Sequence, residues 1–227
     1  FSHAVARSAS LCGEQEQLLD ELLAESLSSL MDSAGTLPVA PLFEMSEARR
    51  SALLRRWIAC HQGSMPSRDA LRRLWQEVAC SREDAEPRLR LGGHEVRRYR
   101  HRLYWLPLRP SLAAVWLMWT DISRPLILPE GLGQLRPDSE AVTLRLPQPD
   151  EPVSVRFKAQ GSFHIVGRAG SRPLKKLWHE VAVPPWERER TPLIFYGERL
   201  MAAAGVFVTR EGVPDRPDSG WSVDWCR

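Results

Sequence analysis

Apolar side chains at Leu11, Leu18, Leu19, Leu22, Leu23, Leu27 and Leu30 mark residues 4–33 as an amphipathic helix, with EQEQ and DELLAES supplying its polar face. Gly35, Pro38 and Pro41 end it and open a loop. A second helix is predicted from the N-cap Ser46, with Glu47 in its first turn, to about Cys60, burying Leu53, Leu54, Trp57 and Ile58. A third follows Ser67 in PSRDALRRLWQEV and buries Leu71, Leu74, Trp75 and Val78.

The period then changes. RLRLGGHEVRRYRHRLYWLPL places Gly92-Gly93 between runs of β-formers, which predicts a hairpin. Leu112 to Trp119 fits a short buried helix or a strand equally well. From Ile127 onward, turn residues separate short strands in LILP, VTLRLP, VSVRFKA and FHIVG, and TPLIFYGERLMAAAGVFV reads as two more around Gly197. One helix interrupts them: Leu174, Leu177, Trp178 and Val181 fall at i, i+3, i+4 and i+7, with Ser171 as N-cap and Pro173 in the first turn. The expected class is α+β, a helical domain with an appended β-hairpin followed by a β-rich domain containing one helix. Residues 1–43 are expected to be a connecting helix and loop, 44–122 the mainly helical domain, and 123–227 the β-rich one.

With 43% hydrophobic and 26% charged residues over 227 positions, the chain can build packed cores under a soluble surface. No run approaches 18 apolar residues, so no transmembrane helix is predicted. Phe1 opens the sequence in mid-helix without a signal-peptide pattern, so a longer parent protein is expected. Cys12, Cys60, Cys80 and Cys226 form no CxxC pair, which argues against zinc and against a disulfide framework and fits a reducing, cytoplasmic setting. The net charge of +3 conceals acidic segments at 1–66 and 111–150 and basic ones at 67–110 and 151–227.

Catalytic signatures are absent: no GxxxxGK[ST], no strand–GxGxxG–helix unit, no GxSxG, no HExxH. The histidines stand singly, and the HEV sequences at His94 and His179 lack the second histidine of a metal site. No catalytic or metal-binding residue is nominated, and the chain is expected to be inactive alone. Basic features remain. On one strand, Arg98, Arg100 and Arg102 of HEVRRYRHRLYW would share a face, opposite Arg97, Tyr99 and His101. Guanidinium groups fork onto phosphate and interleaved aromatics stack on bases. Arg156 and Lys158 alternate with Val155 and Phe157 on a strand with one cationic face. Arg172, Lys175 and Lys176, with Arg168 upstream, crowd a helix start where the dipole is already positive, an arrangement suited to an anion. Arg72-Arg73 reads better as a solvated helix face.

PSRDALRRLWQEV, RLGGHEVRRYR, VSVRFKAQG and GRAGSRPLKKLWHEVAVPPWERERTPLIFYGERLMAAAGVFVT resemble the C-terminal half of bacterial tRNA(Ile)-lysidine synthetases, and RSASLCGEQEQLLDELLAE resembles the helix leaving their catalytic domain. The resemblance implies an ATP-dependent ligase whose N-terminal domain carries an SGGxDS loop, adenylates the wobble cytidine of an isoleucine tRNA precursor and lets lysine displace AMP. Codon reading then changes from AUG to AUA. SGGxDS does not occur here, so ATP and Mg2+ are expected outside this chain and no cofactor within it. What remains resembles the tRNA-binding domains, with tRNA and the catalytic domain as partners and a homodimer left open. Arg168, Lys175 and Lys176 match the family's GRxG…LKK pattern, and Arg188 and Arg190 sit in its PPWxRxxxPL segment. Arg156 and Lys158 match its VRF-basic strand, although Ser162 follows Gly161 where many members have Asp. Arg7, in ARSA, aligns with an arginine near the catalytic domain. A protein-interaction or dimerisation module without RNA contact is the alternative.

Overall fold

A computed structural model of the chain describes residues 2–227, with side chains described at 7–137 and 142–227. Helices and antiparallel sheets combine in the expected α+β class, in two compact units, Phe1–Arg109 and Pro110–Arg227. Among the described residues, no helix is long and apolar enough to cross a membrane.

In the first unit, α1 (Ser2–Leu30) packs on the core only through its last turns. Leu23, Leu27 and Leu30 are in contact with it, whereas Leu11, Leu18, Leu19 and Leu22 stay exposed. After β1 (Leu37–Pro38) and α2 (Ala40–Phe43), α3 (Glu47–Cys60) starts where Ser46 accepts from the Arg49 N–H, and it buries Leu53, Leu54, Trp57 and Ile58. α4 (Arg68–Arg73) is capped by Ser67, which accepts from the Ala70 N–H. It runs on as a π-helical turn over Leu74–Ala79, burying Leu74 and Val78. The antiparallel strands β2 (Arg88–Leu91), β3 (His94–Tyr99) and β4 (Arg102–Pro107) follow, and β1 pairs with the far side of β4.

The Gly92-Gly93 hairpin forms, with Gly92 at φ 63°. The single strand expected over HEVRRYRHRLYW does not. A second turn at Arg100-His101 breaks it, with Arg100 itself at φ 48°. Opposite residues of an antiparallel pair share a face, and Arg98 stands opposite Leu103 whereas Arg102 stands opposite Tyr99. Arg98 and Arg102 therefore project from opposite faces. The turn resets the alternation.

The second unit is built on a five-stranded sheet with order β13-β12-β11-β8-β5. In chain order its strands are β5 (Trp116–Met118), β8 (Val153–Arg156), β11 (Leu193–Tyr196), β12 (Arg199–Ala203) and β13 (Phe207–Val208). One face packs against a three-stranded sheet of β6 (Leu126–Ile127), β7 (Gln134–Arg145) and β14 (Gly220–Cys226), with Val155, Ile194 and Met201 meeting Leu135, Leu144 and Val223. β7 and β14 approach closely at Gly133, where an added Cβ would lie 1.9 Å from the Cys226 carbonyl oxygen. The other face carries the β9 (Ser162–His164) and β10 (Ser171–Pro173) hairpin and α5 (Leu174–Glu180), through Ile165, Leu174, Leu177 and Trp178. α6 (Pro185–Arg188) leads back into β11.

Residues 110–122, expected with the helical part, belong to this second unit. Leu112 and Trp119 lie in its core and β5 pairs with β8. A short apolar run does not carry the identity of its partner, and pairing across the sheet decides it. Ser171 is likewise a strand residue, and Pro173 occupies the cap position of α5 without a side-chain cap.

Candidate nucleic-acid interface

Residues 157–183 make an excursion from β8 that returns across the outer face of the five-stranded sheet. Along β8, Val153 and Val155 turn into the core between the sheets, so Arg156 projects from the other face, as the alternation predicts, and the strand ends there with Phe157 also buried in that core. Arg156 is clamped. Its guanidinium reaches the Glu198 carboxylate at 2.9 and 3.0 Å and the Gly197 carbonyl at 2.9 Å. It also lies 3.6 Å from the centroid of Trp116 and 4.3 Å from that of Phe195. The hydrogen bond from Arg156 holds the Glu198 carboxyl below the usual carboxylate range. Lys158 is exposed.

Further along, the Leu174 N–H donates to the Gly161 carbonyl at 3.2 Å, tying the start of α5 to the loop after Lys158. α5 has 7 residues, buries Leu174, Leu177 and Trp178, and exposes Lys175 and Lys176. Arg168 and Arg172 do not stay at its positive end. Both guanidiniums donate to the Glu180 carboxylate at its last residue. Burial works against the charge on Glu180, and the Arg172 and Arg168 guanidiniums outweigh it, so the carboxyl sits below its ordinary value. The crowding of cations at this helix start is thus relieved within the fold for the arginines and left standing for the lysines.

The chain's lysines are Lys158, Lys175 and Lys176, all on this one excursion. That clustering was the available sequence signal for the site, and a reading that pools Lys with Arg passes over it.

Other nominated cations sit elsewhere. Arg98 donates to the carbonyls of Ala79, at 2.9 Å, and of Ser81, closing the end of the π-helical turn as a cap. Arg188 and Arg190 are 8% and 9% exposed. Arg188 Nε donates to the Val183 carbonyl at 2.6 Å, and Arg190 reaches toward the carbonyls of Pro110 and Glu130. Both are buried within the unit, Arg188 at the last residue of α6 and Arg190 two residues beyond it. Arg100 is exposed at its turn beside Tyr99, and Arg7 is exposed on α1. Both belong to the first unit.

Residues 37–104 match the family model described as TilS substrate binding domain, and residues 153–225 that described as TilS substrate C-terminal domain. The tRNA(Ile)-lysidine synthase of Edwardsiella ictaluri (strain 93-146) is 56% identical over 227 residues, covering 100% of this chain and 52% of that protein. That of Shigella flexneri is 54% identical over 225 residues, 99% of this chain and 52% of that protein. The chain belongs to the tRNA(Ile)-lysidine synthase family.

It spans about half the length of the curated synthases it matches. A crystal structure of a TILS C-terminal domain aligns with a TM-score of 0.40 at 18% identity, over 50% of this chain and 98% of that one. Within this synthase-family chain, the first family model ends in β4 and the second begins at β8, so each falls inside one unit. Among the described residues, no group of three or more His, Cys, Asp or Glu is placed to hold a metal ion.

Proposed function

We propose that this chain docks tRNA for an ATP-dependent ligase that joins lysine to the wobble cytidine of an isoleucine tRNA precursor, changing its reading from AUG to AUA. The observation that carries this is the 54–56% identity along the whole chain to proteins named tRNA(Ile)-lysidine synthase. The exposed lysines at 158, 175 and 176 supply what such a role requires, cations that can release the counterions of a phosphate backbone. In this reading ATP, Mg2+ and lysine are handled by the part of the relatives' length that this chain does not span, in the cytoplasm. The 227-residue chain then binds tRNA without modifying it.

Titration of an isoleucine tRNA transcript at several salt concentrations tests the docking role. Binding whose log Kd rises linearly with log salt supports it, and absence of salt-dependent binding overturns it. Lysidine formed by the isolated chain with ATP, Mg2+ and lysine would refute the division of labour.

A second reading, a protein-interaction or dimerisation module, draws on the exposed Leu11, Leu18, Leu19 and Leu22 of α1, an apolar stripe with no cover in the first unit. Concentration-dependent mass in sedimentation, lost on replacing Leu18 and Leu22 by Gln, would support that reading for α1 alone.

A further inference from the structure

One corner of the five-stranded sheet is bare. β5 is its outermost strand, and its register puts Trp116 opposite Arg156 and Met118 opposite Ser154. β11 continues the rows, with Leu193 opposite Arg156 and Phe195 opposite Ser154. Opposite residues share a face, so Trp116 and Met118 stand on the face that α5 and its flanking loops bury over Leu193 and Phe195. The cover stops short of them: Trp116 is 55% exposed and Met118 50%. Among the described tryptophans, Trp116 alone is exposed. An outermost strand with a large exposed apolar pair is a liability unless something seats on it.

Two observations say what chemistry fits. The guanidinium of Arg156 lies on one face of the Trp116 ring at 3.6 Å, and Glu198 and the Gly197 carbonyl hold it there. The indole is thereby backed by a fixed plane, and the cation beneath it is already matched by a carboxylate. This is a rigid π surface, not a phosphate site. Lys158 follows Arg156 by two residues, just past the end of β8, and is exposed. A flat aromatic with an exposed face, next to a hydrated cation, is the arrangement that holds single-stranded nucleic acid, with a base on the ring and the neighbouring phosphate on the ammonium.

We infer that Trp116 is a stacking platform for an unpaired nucleobase of the bound RNA, with Lys158 engaging the adjoining phosphate. The inference rests on the tRNA-docking reading and narrows it. The partner surface must include a base outside a helix, because bases within an A-form stem offer no face to a ring.

Anisotropy titrations of a tRNA transcript and of a blunt RNA duplex test it, using wild type, Trp116→Leu and Trp116→Phe. Leu keeps apolar cover over Arg156 and removes the ring, while Phe keeps a ring. Loss of stacking should weaken tRNA binding by about tenfold or more in Trp116→Leu. The salt slope stays unchanged, Trp116→Phe retains most of the affinity, and the duplex binds all three equally. If Trp116→Leu binds tRNA like wild type while Lys175→Ala/Lys176→Ala weakens it, the platform is wrong and the docking reading stands. If wild type shows no salt-dependent RNA binding, the docking reading itself falls, and the platform with it. Self-association that Trp116→Leu abolishes, with RNA affinity intact, assigns the corner to a second copy and overturns the proposal. A measurement on the unaltered protein covers a variant that misfolds. Limiting N-bromosuccinimide oxidises the exposed indole first, and tRNA should slow oxidation of Trp116 while the duplex does not. Equal oxidation with and without tRNA refutes the platform.

Discussion

Residues 94–107 and 156–176 read alike as sequence, each interleaving cations with apolar and aromatic side chains. The folded molecule uses them differently. In the first stretch Arg97 is 4% exposed beside Glu95, and Arg98 is turned onto the carbonyls of Ala79 and Ser81. Arg102 reaches the Thr36 carbonyl at 3.0 Å and lies 3.3 Å from Asp32. In the second stretch Arg156, Arg168 and Arg172 are likewise drawn to Glu198 and Glu180, and Lys158, Lys175 and Lys176 remain at the surface. Side-chain chemistry accounts for the split. A guanidinium presents a planar fork of donors that can satisfy several fixed acceptors at once and sheds its water readily. An ammonium is a compact, strongly hydrated charge on a flexible stem. In these two stretches the arginines other than Arg100 are tied to acceptors of the fold, and the lysines mark the candidate RNA face.

The comparison breaks most visibly at Arg98. Arg98→Ala would leave the carbonyls of Ala79 and Ser81 without their charged donor at the end of a half-buried π-helical turn. Hydrogen bonds to charged groups contribute roughly 1.5–3 kcal/mol, so urea denaturation should show a loss of about 2–3 kcal/mol. RNA affinity per folded molecule should not change. A weaker complex with intact stability would move Arg98 back to the RNA face.

Arg156→Lys sharpens the distinction, because it keeps the charge and removes the fork. A lysine cannot hold both Glu198 oxygens and the Gly197 carbonyl while lying flat on Trp116. A stability loss of about 1 kcal/mol is expected from the lost bidentate and cation–π contacts. Unchanged melting would show that the clamp contributes nothing beyond its charge.

Acid should act on the wiring. Arg145 donates to both Glu151 oxygens, at 2.6 and 2.7 Å. That bond, against the opposing effect of burial, depresses the Glu151 carboxyl to about 2. A carboxyl whose folded value lies below its unfolded one contributes stability above the unfolded value, near 4.5, and loses it as pH falls toward 2. Glu151→Gln should therefore flatten the fall in melting temperature between pH 4.5 and 2. An identical pH profile in the variant would sink the assignment.

How far the sequence carried this reading follows from where its signals are local. Ser46 and Ser67 cap the helices they were expected to cap, because a cap is settled within three residues. Gly92-Gly93 turns as expected for a related reason, since only glycine enters that backbone region without strain. Arg98 and Arg102 were misplaced because a turn at Arg100-His101 carries no glycine, proline or asparagine to announce it. Arg188 and Arg190 look like surface cations in a linear motif, and their burial depends on carbonyls as remote as Pro110 and Glu130. Glu180 and Glu198, which decide the fate of Arg168, Arg172 and Arg156, carry no local mark at all.

The smallest stability effect belongs to the lysines, and it is the most informative about function. Lys175 and Lys176 are exposed in the first turn of α5, where their charge opposes the helix dipole and no core contact is made. Lys175→Ala/Lys176→Ala should leave the melting temperature unchanged or slightly higher, within about 0.5 kcal/mol of wild type. It should weaken tRNA binding at low salt and reduce the log–log salt slope by roughly 0.7–0.9 for each phosphate contact removed. A structural role for the same lysines gives the opposite pair of results, a lower melting temperature with the slope intact. Stability and salt slope respond to different physics, the one to packing and the dipole, the other to released counterions. Measuring both on one variant therefore separates a residue that holds the fold from one that holds RNA.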